Sequence, residues 1–323
     1  MNEFDVIKSC FAPLVTSPNA YALKDDVASV EPPEGRKLII TTDTLVEGVH
    51  FLPDDPLESV AQKLVRVNVS DVLAKGGVPW SAVLTLSWNK ERKTSQVQQF
   101  ADGLKADLRL WDISLLGGDT TSTPGPMTVG LTLLGHCSER GPILRSGAQI
   151  GDEIWVTGTI GDGALGLRAA KSSLEDVCEE DKALLAWKYR VPELPDGEIA
   201  RIISLYAMGS ADISDGLLAD LGNITETSNV SAVVNGDDVP LSEAAQACLK
   251  LGKFSKLDLY TGGDDYQCLF TASPEKRIEI LNAAKGAGIA LACIGHIEAG
   301  QGVFVQMSDG QRVKPAKTGW SHL

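Results

Sequence analysis

The chain has 323 residues, of which 43% are hydrophobic and 22% charged, an ordinary globular composition that excludes disordered and fibrous classes and is ample for two cores. With 43 acidic against 29 basic residues, a formal charge of -14 and no long basic run, it excludes nucleic acid and anionic membrane as partners. Met1-Asn2-Glu3-Phe4-Asp5 carries acid where a signal peptide carries positive charge, and no apolar stretch reaches the roughly 18 residues of a bilayer span, so a cytoplasmic protein is expected.

In chain order, the pattern predicts a strand over 38–47, a helix over 56–75, an alternating strand over 81–88, a helix over 94–110, and strands near 113–117 and 127–136. The pattern breaks over 138–151 into a polar, glycine-bearing stretch, which divides the chain into domains 1–140 and 141–323. The second half reads as strand 153–158, helices 162–172, 180–190 and 197–207, strand 230–235, helix 241–251, strand 266–271, helix 274–286, strand 291–297 and a hairpin near 302–314. Each half is therefore expected to be α/β, with one sheet covered by helices.

Short acidic clusters recur beside these elements: Asp25-Asp26, Thr41-Thr42-Asp43, Asn68-Val69-Ser70-Asp71, Gly117-Gly118-Asp119, Asp212-Ile213-Ser214-Asp215 and Gly262-Gly263-Asp264-Asp265. Each alone can be a cap, a turn or a strand edge. Together they suggest a fold that gathers carboxylates around hard cations, because Mg²⁺ takes oxygen ligands and commonly bridges carboxylates to phosphate. That chemistry is phosphoryl transfer. Gly117 and Gly118 would also let backbone amides approach a phosphate. The segment from Asp212 to Asp220 reads equally as a helix start with acids in its first turn. Arg145 is the candidate phosphate fork or, as readily, an interdomain ion pair.

Other patterns are set aside. Gly161-Asp-Gly-Ala-Leu-Gly166 satisfies a dinucleotide-binding spacing, but the following residues are charged and helical, so it reads as a tight strand-helix turn. No P-loop or EF-hand spacing occurs. The six cysteines lie far apart without a C-x-x-C pair, so neither a disulfide framework nor a zinc site is expected, and no Ser/His/Asp or Cys/His nucleophile set stands out.

The ordered words T-T-D-T-L-V-E-G-V-H-F, N-V-S-D, G-G-D-T-T, L-R-S-G-A, V-T-G-T-I-G-D, D-I-S-D-G-L and G-G-D-D-Y resemble the thiamine-monophosphate kinase family of the aminoimidazole ribonucleotide synthetase-like superfamily, from about residue 25 to the final G-W-S-H-L. The resemblance implies the two-domain fold of that superfamily, with an N-terminal sheet domain that pairs in a homodimer. It further implies phosphorylation of thiamine monophosphate by ATP with several Mg²⁺ ions, the step that completes thiamine diphosphate. Carried over by motif, Asp26, Thr41, Thr42, Asp43, Asp71, Asp119, Asp212 and Asp215 would hold Mg²⁺, with Asp43, Asp71, Asp119 and Asp212 as the catalytic carboxylates. Gly118, Asp119, Arg145 and Ser214 would face ATP, and His50, Asp264 and Trp320 the thiamine part. The chain departs from the family where Tyr21-Ala22-Leu23-Lys24 replaces a glycine-rich loop, where Asp264 stands for the usual Glu, and where Lys75 follows Asp71 by one helical turn.

The residues themselves support direct in-line transfer, since a phosphate monoester is already an ionised nucleophile and the obstacle is the repulsion between two anions. Two alternatives stay open at this point: an ATP-dependent cyclo-ligase of the aminoimidazole ribonucleotide synthetase type, and a non-enzymatic acidic protein that binds divalent cations or nucleotides.

Overall fold

The β-branched run around residue 40 forms an 11-residue strand, and its alternation decides which side chains turn inward. In the structure, a computed structural model that describes residues 3–315 and Gly319, β1 (Arg36–Val46) buries Leu45 and half-buries Ile39, Thr41 and Asp43, while Leu38, Ile40, Thr42 and Thr44 stay exposed. Residues Met1–Val72 with Gly77–Gly141 form one compact unit; Leu73–Gly76 with Pro142–Leu323 form the second.

The first unit begins with α1 (Glu3–Val6) and irregular helical turns to Leu23, then continues β1, α2 (Leu57–Ala74), β2 (Val78–Asn89), α3 (Thr94–Leu110), β3 (Ser114–Thr123) and β4 (Thr128–Ser138). Its sheet has the order β1-β4-β2-β3. β4 pairs antiparallel with β1 and β2, and β3 runs parallel to β2 at the edge. The apolar stripe of α2, including Ala61, Leu64 and Val65, is fully buried, as are Phe100 and Leu104 of α3. The stretch Gly117–Asp119, expected just past a strand end, lies inside β3. Pairing with β2 holds these glycines extended, and Gly118 comes so close that a Cβ there would meet the Leu84 carbonyl oxygen at 2.1 Å.

The second unit runs β5 (Glu153–Thr157), α4 (Asp162–Ala170), α5 (Glu179–Arg190), α6 (Ile199–Tyr206), β6 (Gly209–Asp212), α7 (Leu217–Ser228), β7 (Ser231–Asn235), α8 (Glu243–Lys250), α9 (Lys256–Tyr260), β8 (Cys268–Ala272), α10 (Arg277–Gly286), β9 (Leu291–Glu298), β10 (Gly302–Gln306) and β11 (Arg312–Val313). These strands form one seven-stranded sheet, β11-β10-β7-β9-β5-β8-β6. β10 lies parallel to β7 and makes the expected hairpin with β11. β5 and β8 are buried along their whole length, and Trp155 stacks on Phe270 with ring centroids 6.4 Å apart.

In this unit three elements were not foreseen as such, β6, α9 and the full extent of α7, and in the first unit α1 and the helical turns to Leu23 were not. All six cysteines are unbridged. The glycine pattern at 161–166 is a packing device, since a Cβ on Gly163 would lie 2.4 Å from the carbonyl carbon and oxygen of Asp264. The antiparallel registers Thr157↔Leu291, Val156↔Leu269 and Asp212↔Cys268 bring the loops after β5 and β6 and before β8 to the same end of the sheet. That end carries the acidic words of this unit.

Candidate active site

In the first unit, strand periodicity puts Thr41 and Asp43 on one face of β1, and the Thr41 hydroxyl donates to Asp71 Oδ2 from α2. Burial, followed by the neighbouring charge of Asp71, pushes the Asp43 carboxyl up to about 6. Thr42 faces the other way, its Oγ1 donating to the Leu131 carbonyl at 3.2 Å, so its hydroxyl is not brought to theirs. Asp26 and Asp119 face each other instead across a cavity of about 470 Å³, walled by Leu23, residues 25–28 and the exposed end of β3, with Val83, Leu84, Leu115 and Leu116 as its apolar floor. His50 Nδ1 accepts the Val46 amide at 3.0 Å, which places the proton of the neutral ring on Nε2.

The departure at 21–24 has a structural counterpart. Tyr21, Ala22 and Leu23 all adopt left-handed backbone, at φ 48°, 56° and 55°, a conformation that glycine would take without strain.

In the second unit, Asp212 is buried at the end of β6, and Ile213–Gly216 turn the chain into α7. This turn is sewn to the loop before β8: Ile213 N–H donates to the Gln267 carbonyl at 2.8 Å, Tyr266 N–H to the Ile213 carbonyl at 2.8 Å, and Asp264 N–H to the Ser214 carbonyl at 2.9 Å. The structure therefore brings Asp212, Ser214, Asp215 and Asp264 together. Asp264 sits at φ 70°, and its carboxylate accepts from the Tyr266 hydroxyl at 3.0 Å.

Two carboxylates outside the expected metal, nucleotide and thiamine sets hold these loops. Asp265 accepts from the Gly161 amide at 2.7 Å and the Gly163 amide at 3.0 Å, and burial pushes its carboxyl up to about 8 against those two bonds. Asp220 reaches back from the first turn of α7 to the amides before it, and burial, with the charge of Asp215, pushes it up to about 7. Asp220 stood in the motif as a first-turn acid, and Asp265 as the second Asp of G-G-D-D. The signal was the presence of one acid more than a ligand set uses. Arg145 is exposed, and its charge reaches Asp220. Lys75 Nζ donates to the Ser210 carbonyl. Trp320 lies outside the described residues.

Among the described residues, no group of three or more His, Cys, Asp or Glu side chains is placed to enclose a metal ion by itself. The donors present are carboxylates and hydroxyls, the hard oxygens Mg²⁺ prefers, and the burial and the Asp71 repulsion that raise Asp43 are both costs that a divalent cation would offset. They suit an ion held by one or two carboxylates and completed by phosphate oxygens.

The AIR synthase related protein N-terminal domain matches residues 24–137 and its C-terminal domain residues 149–308. The thiamine-monophosphate kinase of Caulobacter vibrioides is 40% identical over 324 residues, covering 99% of this chain and 90% of that protein. The chain belongs to the thiamine-monophosphate kinase family. A crystal structure of the thiamine-monophosphate kinase from Stenotrophomonas maltophilia K279a superposes with a TM-score of 0.81 at 35% identity, covering 90% of this chain and 91% of that one. AaThiL, complexed with AMPPCP and TMP, superposes at 0.79 with 33% identity, covering 99% of this chain and 97% of that one. Family membership bears out the resemblance read from the ordered words. Among the described residues, no helix is long and apolar enough to cross a membrane.

Proposed function

We infer that this protein transfers the γ-phosphoryl group of ATP to thiamine monophosphate, giving thiamine diphosphate. The observation that carries this is the likeness over 99% of the chain to AaThiL, a structure holding TMP and AMPPCP, the methylene analogue of ATP. The acceptor phosphate is ionised at neutral pH, so the protein need only align it and offset charge; no general base or phosphoenzyme is required.

Asp26, Thr41, Asp43, Asp71, Asp119, Asp212 and Asp215 would hold Mg²⁺, whose contribution would be to neutralise the phosphate oxygens and template the in-line geometry; Thr42, its hydroxyl turned to the Leu131 carbonyl, leaves the expected set. The cavity over β2 and β3 offers an apolar floor for a base, with the Gly117–Gly118 backbone at its rim. Arg145 would fork onto phosphate oxygens, and Ser214 would bond to the nucleotide. His50 would donate from Nε2 to the thiamine part. The Asp264 carboxylate would face the cationic thiazolium, and Trp320 would stack on it. Exposed Leu38 and Ile40 on β1 leave an apolar sheet face that a second copy would cover, giving a homodimer.

The test is incubation of the purified protein with ATP, Mg²⁺ and thiamine monophosphate, with free thiamine as control. Thiamine diphosphate formed from the monophosphate alone is the expected result. Binding of Mg·ATP without that product would replace this reading with the cyclo-ligase one.

A further inference from the structure

Asp220 is 1% exposed and has no ligand role in the reaction described above. Its Oδ2 accepts hydrogen bonds from three successive backbone amides, those of Ser214 and Asp215 at 3.1 Å each and that of Gly216 at 3.2 Å. Successive amides converging on one point form a nest, a concavity that commonly holds phosphate or another anion. Here the chain fills its own nest.

The arrangement exceeds what a helix start requires. A neutral Ser, Thr or Asn serves as a helix cap without burying a charge, and Asp220 Oδ1 is buried with no hydrogen-bond partner among the described residues. The surplus is a fixed carboxylate directly behind the turn that carries Ser214 and Asp215.

We propose that Asp220 is a positioning residue for the Mg·nucleotide: an internal acceptor that occupies the 214–216 nest, sets the direction of Ser214 and Asp215, and keeps phosphate oxygens from being captured by those amides. The proposal rests on the kinase reading for the identity of the ligand. It does not depend on transfer to thiamine monophosphate. Among the described residues, only Ser214 of the nest bonds by its backbone to the thiamine-side loop, its carbonyl accepting from the Asp264 amide at 2.9 Å; the other two backbone bonds to that loop come from Ile213, outside the nest, and the loop has its own anchor in Asp265 on the Gly161 and Gly163 amides at 2.7 and 3.0 Å. A defect at Asp220 therefore falls first on the nucleotide.

The experiment compares the wild type with Asp220→Asn, which keeps an acceptor oxygen for the nest, and Asp220→Leu, which keeps none. Calorimetric titration with Mg·AMPPCP is read beside steady-state KM values for Mg·ATP and for thiamine monophosphate, all per folded molecule. Asp220→Leu is expected to weaken Mg·AMPPCP and raise KM for Mg·ATP at least about tenfold, with KM for thiamine monophosphate changing less than about threefold, and Asp220→Asn to recover all but about threefold of the loss. Should the Leu variant fail to fold, the Asn variant decides, by that threefold loss confined to the nucleotide. Wild-type affinity in both variants, or equal rises in both KM values, overturns the proposal. Calorimetry needs no acceptor, so a wild type that binds Mg·AMPPCP but makes no thiamine diphosphate refutes the kinase reading and leaves this test standing.

Discussion

Asp43→Asn should stabilise the protein in chelator while disabling it as an enzyme. Burial and Asp71 raise the Asp43 carboxyl from the usual 3.8 to about 6. At about 1.36 kcal/mol per pH unit, ionising it within the fold costs up to about 3 kcal/mol, and partial exposure lowers the realistic figure to about 1–3 kcal/mol. For an acid with a raised folded pKa, the folded state holds the extra proton between pH 4 and 6. Stability is therefore lost as pH rises through that window and levels off above it. The Asn variant lacks this loss. Thermal unfolding in EDTA should show the variant gaining on the wild type from pH 4 to 6, with a plateau of a few degrees above pH 7. Mg·AMPPCP should reverse the order, because only the wild type gains the full binding energy. A gap that is constant with pH, or an Asn variant less stable than wild type at pH 8 in EDTA, would refute this account.

Asp71→Ala should lower turnover on the order of 10²–10³-fold or more while the far-ultraviolet spectrum stays that of a folded protein; near-normal kcat would count against the carboxylate site. Gly163→Ala forces a Cβ to within 2.4 Å of the Asp264 backbone, which cannot swing aside. It should cost about 1–3 kcal/mol in denaturant melts and raise KM for thiamine monophosphate more than for ATP. Ala22→Gly should leave stability unchanged or raise it by up to about 1 kcal/mol, because relief of left-handed strain offsets the entropy of glycine; a loss of about 1 kcal/mol would show that the 21–23 turn is unstrained.

Long periodic segments were legible in the sequence because their own side chains determine them: the stripe of α2 and the alternation of β1 need no partner to be recognised. β6 was not, since Gly209-Ser-Ala-Asp212 has neither apolar alternation nor β-branched residues, and pairing with β8 alone makes it a strand. Gly117 and Gly118 misled in the same way, reading as a turn until β2 holds them extended. The ordered words put Thr41, Asp43 and Asp71 in one expected set with Thr42, and the alternation of β1 parts Thr42 from them. The division of labour among the acids did not, because ligand carboxylates and amide-holding carboxylates have the same letter. Only the hydrogen bonds of Asp220 and Asp265 separate them.

The order of strands in the larger sheet also sets a timetable. β5 is the first of its strands to leave the ribosome, yet both its neighbours, β8 and β9, begin at Cys268 and Leu291. At about 5–20 residues per second, the apolar segment Glu153–Thr157 waits on the order of ten seconds with both edges unpaired. An interior strand is made first and waits for β8 and β9, while β6 and β7, made in between, pair with neither of its edges. A nascent chain stalled before Cys268 would leave this wholly buried strand open at both edges, which makes the segment the expected landing place for a holding chaperone during synthesis.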